Sequence, residues 1–331
     1  MKYLLEFLDY CTNARQFSPR TAENYAAAVE DLERTIGKDD PAQVTAADFD
    51  TYMTRKALQG SAPSTRRSRA HALRSFFGFL ASREFIEKNP AANFRPPEEK
   101  TGTISTFTTD EIQRLIFLEP TLTPRSRKET DEFFERRTRV EKLCNLRDSA
   151  MFGLSYAVGL RSAEVATIRV SDLTWSDDGE CRVKLFGKGA REPKSAFVGA
   201  RVAKLLEAYL LARQEAGIQH PALFCAVGPR PPNSRRAELG IDQTRVANAL
   251  QKRIRAAGIA VKGRRLTPHA FRYSLATHLY AAGFPVLELK AVMRHARVET
   301  TLRYIALGSV DTIERKKDAK MPWNQPAKGK R

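Results

Sequence analysis

The feature that most constrains this chain is a break. Residues 89–105, "NPAANFRPPEEKTGTIS", crowd proline, glycine and polar side chains into a stretch that suits neither helix nor strand. It divides 331 residues, too many for one compact core, into two parts of different character. Residues 1–100 hold 15 Lys and Arg against 14 Asp and Glu, and the remainder holds 41 against 24. The first part is close to neutral and the second carries nearly all of the formal net charge of +18. A charge of that size calls for a polyanionic partner. Hydrophobic residues make up 42% of the chain, enough to bury a core in each part. The expected boundaries are a domain over 1–95, a linker over 96–107 and a second domain over 108–331.

Both parts read as mainly helical. "SPRTAENYAAAVEDLERTIG" opens on Ser18 as a cap with Pro19 in the first turn and stops at Gly37. Further helices are expected near 46–58, 64–82 and 83–88, then over 108–118 and across 130–169. One segment breaks the helical period: "RVKLFGKGAREPKSAFVG", 182–199, alternates on either side of a turn and predicts a β-hairpin. Helices then return over 201–216, 242–257, 268–282, 285–294 and 298–306. The stretches 119–141 and 226–236 read as surface insertions, and the chain shows no internal repeat. The four cysteines, Cys11, Cys144, Cys181 and Cys225, form no CxxC pair and read as reduced thiols rather than metal ligands. No apolar run approaches the length of about 18 residues that crosses a bilayer, so the expected setting is cytoplasmic, with no membrane partner.

Positive charge comes in blocks. "SAPSTRRSRAHALRSFFGFLASR", 61–83, carries five arginines and no acid, and 228–265 carries ten bases against two acids. With Ser, Thr and Asn interleaved, such blocks suit a phosphate backbone, and Arg66, Arg67, Arg69, Arg74, Arg264 and Arg265 are the candidate contacts. A different group of residues suits chemistry. "GLRSAEVATIRVSDL", 159–173, has the apolar stripe of an amphipathic helix, yet Arg161 stands at its start. In "TPHAFRYSLATHLYAAG", 267–283, Thr267 is the expected cap and Pro268 the first helical residue. That places His269 and Arg272 on one face. "VMRHARVETTLRYIAL", 292–307, sets His295 nine residues before Tyr304.

In this order and spacing, Arg161, Lys188 on the hairpin, His269, Arg272, His295 and Tyr304 resemble the tyrosine recombinase (phage integrase) family over nearly the whole chain. The resemblance implies a mainly α protein with a small β-hairpin or sheet. A helical, SAM-like core-binding domain would come first and the tyrosine-recombinase catalytic domain second, in a simple two-domain, Xer-like arrangement. The activity implied is site-specific DNA recombination through a 3′-phosphotyrosyl intermediate, without metal or other cofactor. The implied partner is double-stranded DNA, with a homo-tetramer on paired sites and a monomer or dimer on one. A non-cleaving DNA-binding protein on the same fold and a type IB topoisomerase-like relaxing enzyme are the alternatives.

The chemistry asks for these residue types in its own right. Arginine forks match the non-bridging oxygens of a phosphate and stay charged, so Arg161 and Arg272 form the clamp and His295 adds a donor. A tyrosine needs help to lose its proton; a cationic pocket provides part of it, and His269 is the candidate base. Lys188 resembles the family's general acid, with Lys194 as a rival, and Glu164 is expected to buttress Arg161. Tyr156, Tyr273 and Tyr280 compete with Tyr304; Tyr273 is discounted because it points about 100° away from the Arg272 face. Two departures stand out. Met293-Arg294-His295 replaces the family's usual Leu-Gly-His, and Tyr273 follows Arg272 where a histidine is common. The basic tail from about 306 is expected to dock on a neighbouring protomer.

Overall fold

The computed structural model describes residues 1–95, 104–186, 192–227 and 240–306. Two compact units make up the chain, Met1–Gly102 and Thr103–Arg331. The N-terminal unit is helical: α1 (Leu4–Asp9) runs into a π-turn (Tyr10–Ala14), followed by α2 (Pro19–Ile36), α3 (Ala46–Leu58) and α4 (Pro63–Ser82). Local signals explain the ends. The Ser18 hydroxyl accepts from the Thr21 amide, and Gly37 closes α2 at φ +71°. Thr45 and Asp48 exchange hydrogen bonds as a capping box on α3. The helices enclose Phe7, Leu32, Phe49, Tyr52, Phe76 and Phe77. Residues 83–88 are turn and bend, with Glu84 at φ +59°, so the helix expected there does not form.

The second unit begins with α5 (Thr109–Ile116), again boxed by Thr108 and Glu111, and the long α6 (Asp131–Ala157). Residues 131–141 are therefore the first turns of α6 rather than loop. α6 packs against α8 (Ala200–Glu215) and α10 (His269–Ala281), enclosing Phe152, Tyr209, Phe224 and Phe271. The helix expected over 159–173 is cut short: α7 covers only Ser162–Thr167. Ile168 turns extended at φ −57°, ψ 135°, and the Asp172 carboxylate then accepts from the Arg169 amide in a short 3₁₀ turn. The chain continues into a strand that the hairpin reading does not include. β1 (Leu173–Trp175), β2 (Cys181–Leu185) and β3 (Lys194–Val198) form an antiparallel sheet in that order, with Leu173 opposite Val183 and Val183 opposite Ala196. β2 buries Cys181, Val183 and Leu185 and exposes Arg182 and Lys184, the alternation of a half-buried strand.

α9 (Gln243–Ala256), α11 (Val286–Val292) and α12 (Val298–Ala306) complete the unit. Pro268, not Thr267, is the cap position of α10 and already has helical dihedrals. Thr267 contributes its carbonyl oxygen to the Ala270 amide rather than a side-chain cap. Among the described residues, no helix is long and apolar enough to cross a membrane.

Candidate active site

Gly159 organises the first wall of the site. It sits between α6 and α7 at φ +60°, and a Cβ there would lie 3.1 Å from the Leu275 side chain and 3.4 Å from Met293. Only glycine combines that dihedral with that proximity. The turn it makes sets Arg161 as the residue preceding α7, with extended dihedrals that carry its side chain clear of the helix. The Glu164 carboxylate, one turn on, accepts from the Arg161 amide at 2.9 Å and from Arg161 Nη1 at 2.8 Å. The arginine that seemed out of place in an apolar stripe is thus outside the helix and held by it.

Arg272 comes from α10 and is 1% exposed. Its two terminal nitrogens donate to the carbonyls of Gly159 and Met293, joining the turn before α7 to the turn after α11. Burial, together with the charges of Arg161 and Arg294, brings its guanidinium down to about 10, so it remains a cation at neutral pH. Its Nε is buried without a partner, and so is Nε2 of His295. His295 sits in the turn after α11, its amide donating to the Lys290 carbonyl and its Nδ1 lying 2.9 Å from the Thr301 hydroxyl. Burial, then Arg272, Arg161 and Arg294, push its imidazole down to about 4, which makes it neutral at physiological pH.

Tyr304 on α12 packs edge-on between two rings, 4.9 Å from His295 and 4.5 Å from Tyr273 between centroids. Leu275, Ala276 and Met293 form a small apolar cluster against which it rests. His269 opens α10 with access to solvent. Its protein surroundings, then the Arg272 and Arg161 charges, hold its imidazole below the ordinary range. Arg161, His269, Arg272, His295 and Tyr304 are linked by these contacts and mutual charge effects. Lys188 lies outside the described residues, as does the tail beyond 306; Lys194 is exposed at the start of β3. Tyr156 instead bonds His278 Nδ1 at 2.8 Å.

The candidate backbone contacts divide. Arg69 pairs with Asp31 and donates to the Tyr52 hydroxyl at 3.0 Å, and Arg74 donates to the carbonyls of Ala91 and Phe94. Arg264 grips both oxygens of Glu111, at 2.6 and 3.0 Å. These three guanidiniums are engaged in holding their own units together. Arg66 is half-buried with its Nε unpaired, Arg67 is half-buried, and Arg265 is exposed. The site residue that sequence reasoning passed over is Arg294. Its one signal was its place where glycine is usual.

Similarity to known proteins extends over both units. Residues 128–309 match the phage integrase family, and residues 3–87 match the phage integrase N-terminal SAM-like domain. Tyrosine recombinase XerC of Shewanella amazonensis is 28% identical over 306 residues, covering 92% of this chain and 91% of its own. XerC of Chromohalobacter salexigens is 30% identical over 298 residues, covering 88% and 86%. Among solved structures, XerH recombinase in a post-cleavage complex with its palindromic difH substrate superposes with a TM-score of 0.68 at 15% identity, covering 97% of this chain and 85% of its own. A lambda integrase fragment, a dimer bound to a core site, gives 0.65 at 14% identity, covering 92% and 95%. The chain belongs to the phage integrase family and is a tyrosine site-specific recombinase.

Proposed function

We propose that this protein cuts and rejoins double-stranded DNA with Tyr304 as nucleophile. The observation that carries the reading is a pair of buried, unpartnered donors, Arg272 Nε and His295 Nε2, in the cluster that packs against Tyr304. A buried donor without an acceptor is costly, and a phosphate oxygen supplies the acceptor. Arg161 and Arg272 neutralise the non-bridging oxygens. Nδ1 of His295 lies 2.9 Å from the Thr301 hydroxyl; with that hydroxyl as the donor, the ring hydrogen stands on Nε2 and reaches the same phosphate. The Tyr304 oxygen bonds to phosphorus as the bond to the 5′ oxygen breaks. The phenolic proton passes to His269, which is neutral and able to accept it. Lys188 protonates the departing 5′ oxygen.

The product is a 3′-phosphotyrosyl link and a free 5′ hydroxyl, and a 5′ hydroxyl from a partner duplex reverses the step. Bond energy is conserved, so neither metal nor nucleotide cofactor is required. Two duplexes, each cut on both strands, call for four protomers. The helical domain over 1–95, the linker over 96–107 and the catalytic domain over 108–331 would act together on the duplex, in the cytoplasm.

A nicked suicide duplex tests the reading. Wild-type protein should accumulate a covalent adduct in the presence of a chelator, and Tyr304→Phe should bind the duplex equally well and form none. An adduct formed by the Phe variant, or one that needs a divalent ion, overturns it.

A further inference from the structure

Arg294 has no part in the steps above, yet it is the most constrained arginine of the cluster. Its backbone lies at φ +54°, in the left-handed region that disfavours any residue with a Cβ and persists only where the surroundings dictate it. The side chain shows what dictates it. With 10% of its side-chain surface exposed, Arg294 donates from Nη1 to the Val158 carbonyl at 2.7 Å. Its Nη2 donates to the Gly159 carbonyl at 3.2 Å and to Glu164 Oε2 at 3.0 Å. Its own carbonyl accepts from Arg161 Nη2 at 3.3 Å.

Two of those acceptors are shared with the phosphate clamp. The Gly159 carbonyl also takes a hydrogen bond from Arg272, and the Glu164 carboxylate also holds Arg161. One fixed guanidinium fork therefore ties together the end of α6, the start of α7 and the turn that carries His295. We propose that Arg294 is a positioning residue for strand cleavage: it locks Arg161, through Glu164, in register with Arg272 and His295. This rests on the reading of Tyr304 as nucleophile and of Arg161 and Arg272 as its phosphate clamp.

The geometry has a titratable consequence. The charges facing Glu164 are Arg161 from its own turn, Arg294 from the turn after α11, and Arg272 and His269 from α10. Burial raises the Glu164 carboxyl. The Arg161 amide and the Arg294 and Arg161 charges more than offset that, so it stays ionised well below neutrality. Without Arg294 its pKa rises, and protonated Glu164 no longer holds Arg161. The part of the acid limb that Glu164 sets then moves to higher pH.

The test is single-turnover cleavage of the suicide duplex across pH 4–9 by wild type, Arg294→Gly and Arg294→Lys, with duplex affinity and melting temperature measured alongside. Glycine suits the left-handed backbone, so Arg294→Gly isolates the loss of the side chain. The expected result is a cleavage rate lower by roughly 10- to 100-fold at neutral pH, affinity within about threefold, and an acid limb raised by about one pH unit. Arg294→Lys should return the limb toward wild type while recovering only part of the rate, because an ammonium cannot span three acceptors in a fixed fork. A Gly variant whose folded fraction cleaves at the wild-type rate, with an unmoved limb, overturns the proposal. Should the Gly variant fail to fold, a Lys variant with full wild-type rate overturns it equally. If wild type itself forms no adduct, or forms it on another tyrosine, the nucleophile assignment fails instead.

Discussion

Asp31 in the N-terminal unit and Glu164 in the catalytic unit are both carboxylates set among three cations, with opposite outcomes. Asp31 takes a hydrogen bond from Lys56 at 2.9 Å and from the Tyr52 hydroxyl at 2.9 Å, pairs with Arg69, and lies 3.7 Å from Arg34. The excess charge there reaches water, since Arg34 is 76% exposed and Arg69 30%. Glu164 faces Arg161, Arg272 and Arg294; Arg272 is buried, and Arg294 keeps only 10% of its side-chain surface exposed. Its cluster leaves Arg272 Nε, Arg294 Nε and His295 Nε2 without acceptors, whereas no side-chain atom of Asp31, Lys56, Arg69 or Tyr52 is so left among the described residues. The ratio of charges does not mark a site. What marks it is several buried nitrogens left without partners in one cluster, where the N-terminal unit has, among the described residues, the single Nε of Arg66.

Cleavage rate separates the two clusters most sharply. Arg161→Ala and Arg272→Ala should each lower single-turnover cleavage by roughly a hundredfold or more while changing duplex affinity far less. Asp31→Ala should leave the rate per folded molecule within about twofold of wild type. A large rate loss in the Asp31 variant breaks the distinction. Stability is the next measure. Removing Asp31 leaves Lys56 and Arg69 close together without their acid, and denaturant unfolding should register a loss of about 2–3 kcal/mol. A change below about 0.5 kcal/mol would show that the cluster is a solvated ornament.

The last measure is pH. His295 is depressed to about 4 in the folded state, against an ordinary value near 6.5. Between those values the unfolded chain binds more protons, so the contribution of neutral His295 is present at pH 7 and is lost as pH falls toward 4. The expected loss between pH 7 and pH 4 is about 2–3 kcal/mol, and His295→Gln should flatten that part of the curve. His269 and His278 are lowered too and act in the same direction, so only the difference between variant and wild type reports on His295. An identical slope in the two proteins counts against the buried, neutral histidine.

Much of the fold was readable because its signals are local. The cap at Ser18, the stop at Gly37 and the hairpin alternation each lie within a few residues of the structure they set. The candidate site could be proposed from residue types in order, since phosphate chemistry tolerates few substitutes. What sequence hid is tertiary. β1 exists because Leu173 finds Val183 across the sheet, not because three residues favour a strand. Arg69 and Arg264 look like any surface arginine until Asp31, 38 residues earlier, and Glu111, 153 residues earlier, come round to meet them. The proposed role of Arg294 needs a left-handed φ and three acceptors from the segment 158–164, 130 to 136 residues earlier, none of which a linear pattern records.

The orphaned donors around Glu164 also limit how this protein can evolve. Natural selection stabilises most folds by small additions, and a second carboxylate beside Arg272 and His295 would be an obvious one. On the proposed mechanism such a side chain would sit where the phosphate comes and would act as a permanently tethered inhibitor. On that mechanism, the surroundings of these nitrogens are closed to improvement from within the chain. Any gain in robustness must come from elsewhere in the molecule or from the nucleic acid itself, whose binding stabilises the folded state by mass action.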